Sequence, residues 1–172
     1  MDAVRRRCLA ALSAMVGTWA IAGCSREGEA AAAQANAGAA PTQRFPFQLS
    51  DAQWRERLTP AQYNVLRRSG TEFAFSSPLD KEHRTGVFTC AGCAHPLFYS
   101  KAKFNSGTGW PSFTAPLPDA IGISRDTTYG MVRDGVHCRN CGGHLGHRFD
   151  DGPPPTHQRY CMNGVAMQFR PA

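Results

Sequence analysis

The sequence has no dense block of lysine and arginine and no apolar run of membrane-spanning length. It has no internal repeat beyond two matched Cys-x-x-Cys pairs. The first absence removes a phosphate-tracking nucleic-acid surface. The second removes a comfortable transmembrane helix, because the apolar stretch over residues 8–23 falls short of the roughly 20 residues a bilayer needs. Apolar side chains are not scarce overall. With 42% hydrophobic and 10% aromatic residues the chain can pack a core, which excludes a disordered protein. At 172 residues it has room for one ordinary domain with appendages. Twelve prolines and seventeen glycines favour a loop-rich, mainly β domain over a helical bundle.

The N-terminus reads Met1-Asp2-Ala3-Val4-Arg5-Arg6-Arg7, then apolar from Cys8 to Gly23. A basic head before a short apolar run is the pattern of a secretory signal peptide. The run ends Ile21-Ala22-Gly23-Cys24, which resembles the lipobox of bacterial lipoproteins; that resemblance implies lipidation at Cys24, the new N-terminus, and Ser25 favours outer-membrane sorting. An ordinary cleavage near Ala22 is the alternative, and Arg5 to Leu9 is faintly similar to a twin-arginine signal. The expectation is therefore a signal peptide over 1–23, a bacterial periplasmic location, and membrane attachment only through the lipid. The formal charge of +6 then shrinks: residues 1–23 carry three arginines and one aspartate, leaving 16 basic and 12 acidic side chains, or +4. No nucleic-acid partner is expected.

Residues 24–44, rich in Ala, Gly, Gln and Asn, cannot bury enough surface to fold and read as a flexible tether. Folding is expected over 45–172. Ser50 to Gln53 and Thr59 to Gln62 both fit a capping box, the second with proline at the first helical position, so two short helices open the domain. Trp54 with Leu58, and Tyr63 with Leu66, mark their apolar faces, and Gly70 is placed to stop the second. From Gly86 onward short strands alternate with turns. Val87–Thr89 and Leu97–Tyr99 flank the first Cys pair, Tyr129–Arg133 and Val136–Cys138 flank the hairpin dipeptide Asp134-Gly135, and Val165–Phe169 alternates near the end.

Cys90-Ala91-Gly92-Cys93 and Cys138-Arg139-Asn140-Cys141 can offer four thiolates, the tetrahedral set that zinc accepts. Two disulfides or a redox-active pair are the alternatives, since an exported protein meets oxidising conditions. A closed four-sulfur site has no open position, so it is structural and stitches two distant hairpins together.

Of seven cysteines, Cys8 falls in the signal, Cys24 at the lipid site and four in the metal set, which leaves Cys161. A lone cysteine can be an inert core residue. Here Arg159 and Asn163 lie two residues to either side, and on a strand all three share a face. A nearby guanidinium lowers a thiol's pKa and favours the reactive thiolate. The stiff run Asp151-Gly152-Pro153-Pro154-Pro155 precedes it. His144-Leu145-Gly146-His147 supplies two imidazoles that could be metal ligands, hydrogen-bonded scaffold, or general acids. Ser106 to Phe113 contains a glycine turn with Trp110 and Phe113 expected to be partly exposed, as an apolar wall for a methyl group or as aromatics closing a hairpin.

Together these segments resemble the B-type methionine-R-sulfoxide reductases. The matching pieces are Cys90 to Cys93, Lys103 to Phe113, Tyr129 to Arg133, Cys138 to Cys141, His144 to His147, Asp151 to Thr156 and Arg159 to Asn163, in the family's order over about residues 47 to 170. The resemblance implies a mainly β fold of two antiparallel sheets with two short N-terminal helices and a structural four-cysteine zinc site. It implies that Cys161 attacks the sulfoxide sulfur and becomes a sulfenic acid while methionine leaves. His144 and His147 would bind or protonate the oxygen, Asn163 and Arg159 would shape the site, and Trp110 with Phe113 would receive the substrate methyl. The natural substrate is then the free amino acid or oxidised proteins and peptides, and a tethered enzyme is placed to meet the latter.

One departure bears on the cycle. Many members carry a resolving cysteine where this chain has Thr108, and no spare thiol remains in the domain. Regeneration is then expected from a thioredoxin-like protein or a small thiol. A zinc-stabilised binding module and another kind of thiol enzyme are the rival readings; the first has no need of Cys161, Asn163 and Trp110 together, and the second usually needs a partner thiol.

Overall fold

The computed structural model describes residues 44–172. The signal segment, Cys24 and the tether up to residue 43 lie outside the described residues. Two short helices come first, α1 (Asp51–Arg57) and α2 (Pro60–Arg68). Both begin with complete capping boxes, Ser50 with Gln53 and Thr59 with Gln62, and Pro60 stands at the start of α2. Each box satisfies orphan N–H groups at a helix start, an effect of about 1 kcal/mol. The left-handed cap of α2 falls on Ser69 (φ 54°), one residue before the expected stop at Gly70, whose N–H bonds the Asn64 carbonyl at 3.0 Å.

Nine strands follow: β1 (Gly86–Cys90), β2 (Pro96–Tyr99), β3 (Lys103–Phe104), β4 (Ser112–Phe113), β5 (Ile121–Asp126), β6 (Arg133–Cys138), β7 (His144–Phe149), β8 (Arg159–Met162) and β9 (Met167–Pro171). They form two antiparallel sheets, one in the order β2-β1-β9 and one in the order β3-β4-β8-β7-β6-β5. The fold is mainly β with two helices, as the sequence implies. The hairpin expected at Asp134-Gly135 does not form. Both residues lie inside β6, paired to Arg125 and Ser124 on one side and to Arg148 and His147 on the other. Two flanking ladders and an Asp134–Arg148 ion pair hold them extended, overriding their turn preference. The turn sits instead over residues 127–132, with a short 3-10 helix at Thr128–Gly130. The last strand starts at Met167, two residues after the expected point, because Gly164–Ala166 makes another 3-10 turn.

Phe88, Leu97, Phe98, Phe113, Val136, Leu145 and Met162 are completely buried between the sheets. Phe113 stacks on Phe98 at 4.3 Å between ring centroids and meets Phe88 edge-on at 5.0 Å. Phe113 is therefore core and forms no exposed wall. The strand pleat explains this: Ser112 faces one side of the sheet, so Phe113 must face the other.

Candidate active site

The two Cys-x-x-Cys turns are built alike. In each, the residue four past the first cysteine donates its N–H back to that cysteine's carbonyl at 2.8 Å, and that residue is left-handed: Ala94 (φ 59°) and Gly142 (φ 70°). At Gly142 a Cβ would run into the Phe45 ring, so glycine meets both demands. The turns bring the four sulfurs within 4.8 Å of one another, with Cys90–Cys141 and Cys93–Cys138 both at 3.7 Å. That is nearly twice a disulfide bond of about 2.05 Å. It matches the roughly 3.8 Å edge of a sulfur tetrahedron around a metal at about 2.3 Å. All four cysteines are free thiols, and they are positioned to bind a metal ion. Such a site would hold β1 of one sheet to β6 of the other. The helices brace it: Arg57 Nε donates to the Gly92 carbonyl at 2.6 Å and Arg67 to the Cys141 carbonyl at 3.1 Å.

Cys161 lies well apart from that cluster in the chain, at the centre of β8. Its cross-strand neighbours are Ser112 on β4 and His147 on β7. Directly opposed residues share a face, so Ser112, Cys161 and His147 form a row across the sheet. Two of the row, Cys161 and His147, line a cavity of about 140 Å³ together with Trp110, Phe149, Asn163 and Arg133, among others. A larger cleft of about 670 Å³ lies beyond Glu72, between α2 and β9, and holds no cysteine or histidine.

The two histidines reach this face by different routes. Three residues apart on a regular strand, they would point to opposite sides. A bulge in β7 inserts Leu145, so that His144 pairs with His137 while Gly146 pairs with Val136. The extra residue returns His144 to the side of His147, and their rings meet edge-on at 5.2 Å. His147 borders the cavity, and its Nε2 contacts the Asp126 carboxylate at 2.6 Å. His144 sits behind it. Its Nε2 is buried without a partner, and burial, with the neighbouring His147 second, pushes its pKa down to about 4. It is a neutral imidazole at neutral pH.

Asp126 also accepts from Arg133 at 2.8 Å and from the N–H and hydroxyl of Thr128. The Thr128 hydroxyl and N–H, then His147, and last the Arg133 charge hold its carboxyl far below the usual range. Asp126, Arg133 and Phe149 were not singled out by sequence reasoning. The signal for Asp126 exists only in register, since it lies 21 residues from His147 with β6 between them.

Arg159, 7% exposed, is held bidentate by Asp151 with both contacts at 2.8 Å, and lies over the Phe149 ring at 4.6 Å. It pulls the Cys161 thiol toward ionisation, as do hydrogen bonds from the Thr108 and Ser112 hydroxyls. Burial outweighs them all, so the thiol pKa is raised, not lowered as the sequence suggested. The two hydroxyls belong to one chain, Thr108–Ser106–Ser112, with links of 2.8 Å. Asn163 lies one residue past the strand that carries Cys161 and Arg159, and lines the same cavity as Cys161. The strand ends at Met162, and Asn163 opens the 3-10 turn with its amide donating to the Leu145 carbonyl and its Oδ1 accepting from Glu72. Trp110, half-buried, forms a wall of the cavity, with its Nε1 donating to the Glu72 carbonyl at 3.2 Å. The glycine turn before it is tight: at Gly109 (φ 84°) a Cβ would stand 2.7 Å from the Phe75 backbone nitrogen.

Taken as a class, this is a two-sheet β domain with a four-cysteine cluster positioned to bind a metal ion, and one separate thiol beside an imidazole–carboxylate pair. Residues 58–171 match the model of the SelR domain. The chain is 54% identical to a peptide methionine sulfoxide reductase MsrB of Agrobacterium fabrum over 123 residues, covering 71% of this chain and 91% of the relative. It is 49% identical to the protein of that name in Thioalkalivibrio sulfidiphilus, over 74% of this chain and 93% of the relative. In Leptospira interrogans the figures are 47% identity, 73% and 97%. The chain belongs to the peptide methionine sulfoxide reductase B family and is an oxidoreductase.

Proposed function

We propose that this protein reduces methionine-R-sulfoxide, mainly in proteins and peptides, with Cys161 as the nucleophile. The observation that carries the reading is the row Ser112–Cys161–His147 along a small cavity walled by Trp110. The Cys161 thiolate donates an electron pair to the sulfoxide sulfur, and the sulfur–oxygen bond breaks. Oxygen cannot depart from sulfur as bare oxide, so it must be protonated. His147 is the acid at hand, oriented by Asp126 through Nε2, which leaves Nδ1 to face a ligand. The protonated oxygen leaves as water from the species in which Cys161 is bonded to the methionine sulfur. A water then attacks the Cys161 sulfur, and that sulfur–sulfur bond breaks with methionine leaving and a proton released. Cys161 becomes a sulfenic acid, the reversible step of thiol oxidation. The sulfur of the enzyme is oxidised by two electrons and that of the substrate reduced by two. Trp110 receives the methyl group, which selects the R epimer.

Regeneration requires an outside thiol. Among the described residues the other cysteines all belong to the four-sulfur cluster, and Thr108 offers a hydroxyl where a second thiol would serve. A thioredoxin-like protein or small thiol attacks the sulfenic acid, releasing water and leaving a mixed disulfide that a second thiol resolves. The four-sulfur site takes zinc, which fits the sulfur spacing and plays a structural part. Export, lipidation at Cys24 and a periplasmic location rest on residues 1–44 of the sequence; mass spectrometry of membrane fractions showing a diacylated Cys24 supports them, and a soluble chain cleaved near Ala22 removes the lipid anchor.

Turnover of the separated R and S epimers of peptide methionine sulfoxide with dithiothreitol tests the reading. Reduction of R alone is the expected result. Reduction of neither by folded, metal-loaded protein would favour a binding module instead.

A further inference from the structure

Glu72 stands just after α2, in a stretch that has neither helix nor strand structure. It makes four hydrogen bonds to two other parts of the chain. Its N–H donates to Asn163 Oδ1 at 2.9 Å, and its carbonyl accepts from Trp110 Nε1 at 3.2 Å. Its carboxylate accepts from the N–H groups of Gly164 at 2.6 Å and Val165 at 2.9 Å. Among the described residues no cationic side chain forms an ion pair with it, although the group is half-buried and burial raises its pKa. Backbone donors alone hold a carboxylate that would otherwise prefer water.

The arrangement couples both ends of one residue. The carboxylate fastens Glu72 to the turn immediately after Asn163. Once fastened, its backbone presents an acceptor to the indole and a donor to the Asn163 amide. Trp110 and Asn163 both line the cavity beside Cys161. Their neighbours Pro111 and Met162 are joined by a backbone hydrogen bond at 2.9 Å, but among the described residues the two side chains share a hydrogen-bond partner only in Glu72. Without the side-chain anchor the Glu72 backbone could shift, and the indole would lose its only hydrogen-bond acceptor in this structure among the described residues. We infer that Glu72 is a positioning residue that sets the substrate-binding wall, fixing Trp110 relative to Asn163, and that it takes no part in proton or electron transfer.

This inference rests on the proposed sulfoxide reduction, but its test does not depend on activity alone. Glu72→Ala and Glu72→Gln are compared with the parent in the full metal-loaded chain. The glutamine keeps the shape and one acceptor oxygen but opposes one N–H donor with another. In Glu72→Ala, KM for peptide methionine-R-sulfoxide rises about tenfold while kcat changes less than threefold, as expected for lost binding without lost chemistry. Hydrogen exchange at the Trp110 indole N–H speeds up about tenfold, the loss of one neutral hydrogen bond. Glu72→Gln falls between the two, and decides the matter if the alanine variant does not fold. Parent-like KM and parent-like indole exchange in Glu72→Gln would overturn the inference, as would a fall in kcat with KM unchanged. If the parent itself reduces no sulfoxide, the proposed activity fails and the indole exchange alone decides the role of Glu72.

Discussion

Asp126 and His147 meet at 2.6 Å although a whole strand lies between theirs. The intervening residue is Gly135, paired to His147 on one side and to Ser124 on the other. A Cβ there would stand 3.5 Å from Asp126 Cβ, an ordinary contact, so Gly135 marks the place where the carboxylate passes over β6. Asp126→Asn keeps the shape and removes the charge. Turnover should fall about a hundredfold, the lower end of the range for general acid catalysis, with unchanged metal content and thermal midpoint. Parent-like turnover would show that His147 needs no carboxylate.

Burial dominates the Cys161 thiol, which raises its pKa and keeps it protonated at neutral pH. The ionised form is the reactive one, so alkylation by iodoacetamide should keep rising with pH beyond about 8.5, the value for a free thiol. Arg159→Met and Thr108→Val each remove a group that pulls the other way, so both should shift the profile further upward. A plateau below neutral pH would mean that Arg159 outweighs burial after all.

His144 has the opposite linkage to acid. Its pKa is near 4 in the folded chain, against about 6.5 when unfolded, so only the unfolded state takes up a proton between those values. Stability is therefore lost as pH falls from about 6.5 to 4, by an amount on the order of 3 kcal/mol. Denaturant titrations of the parent and His144→Gln should diverge in steepness over that window. Parallel curves would place the lost stability elsewhere.

The four-cysteine cluster lies between β1 of one sheet and β6 of the other, so removing a metal bound there should loosen both. Chelation, or Cys93→Ser, is expected to lower the thermal midpoint sharply and broaden unfolding, since binding at such sites contributes about 10 kcal/mol or more in zinc-finger peptides. A metal assay should give one ion per chain. An unchanged midpoint after complete removal would deny the structural part.

Much of this was legible in the sequence because it was local. Capping boxes, matched cysteine pairs and the count that isolates Cys161 need only neighbouring residues or arithmetic. What was illegible depends on register and burial. Asp134-Gly135 reads as a turn by itself, and only partners on both sides make it strand. Phe113 joins the core because Ser112 takes the face of Cys161. The extra residue Leu145, which brings His144 round to His147, leaves no mark on composition. Asp126 and Glu72 act across 21 and 38 residues or more, to partners that no spacing rule links.

The most direct test of Cys161 is a single turnover without reductant. Folded protein given excess peptide methionine-R-sulfoxide should form one methionine per chain and then stop, with a dimedone adduct mapping to Cys161. Cys161→Ser should form none while keeping its metal. Continued turnover, a product yield of two per chain, or an adduct on a residue of the four-cysteine site would contradict the account.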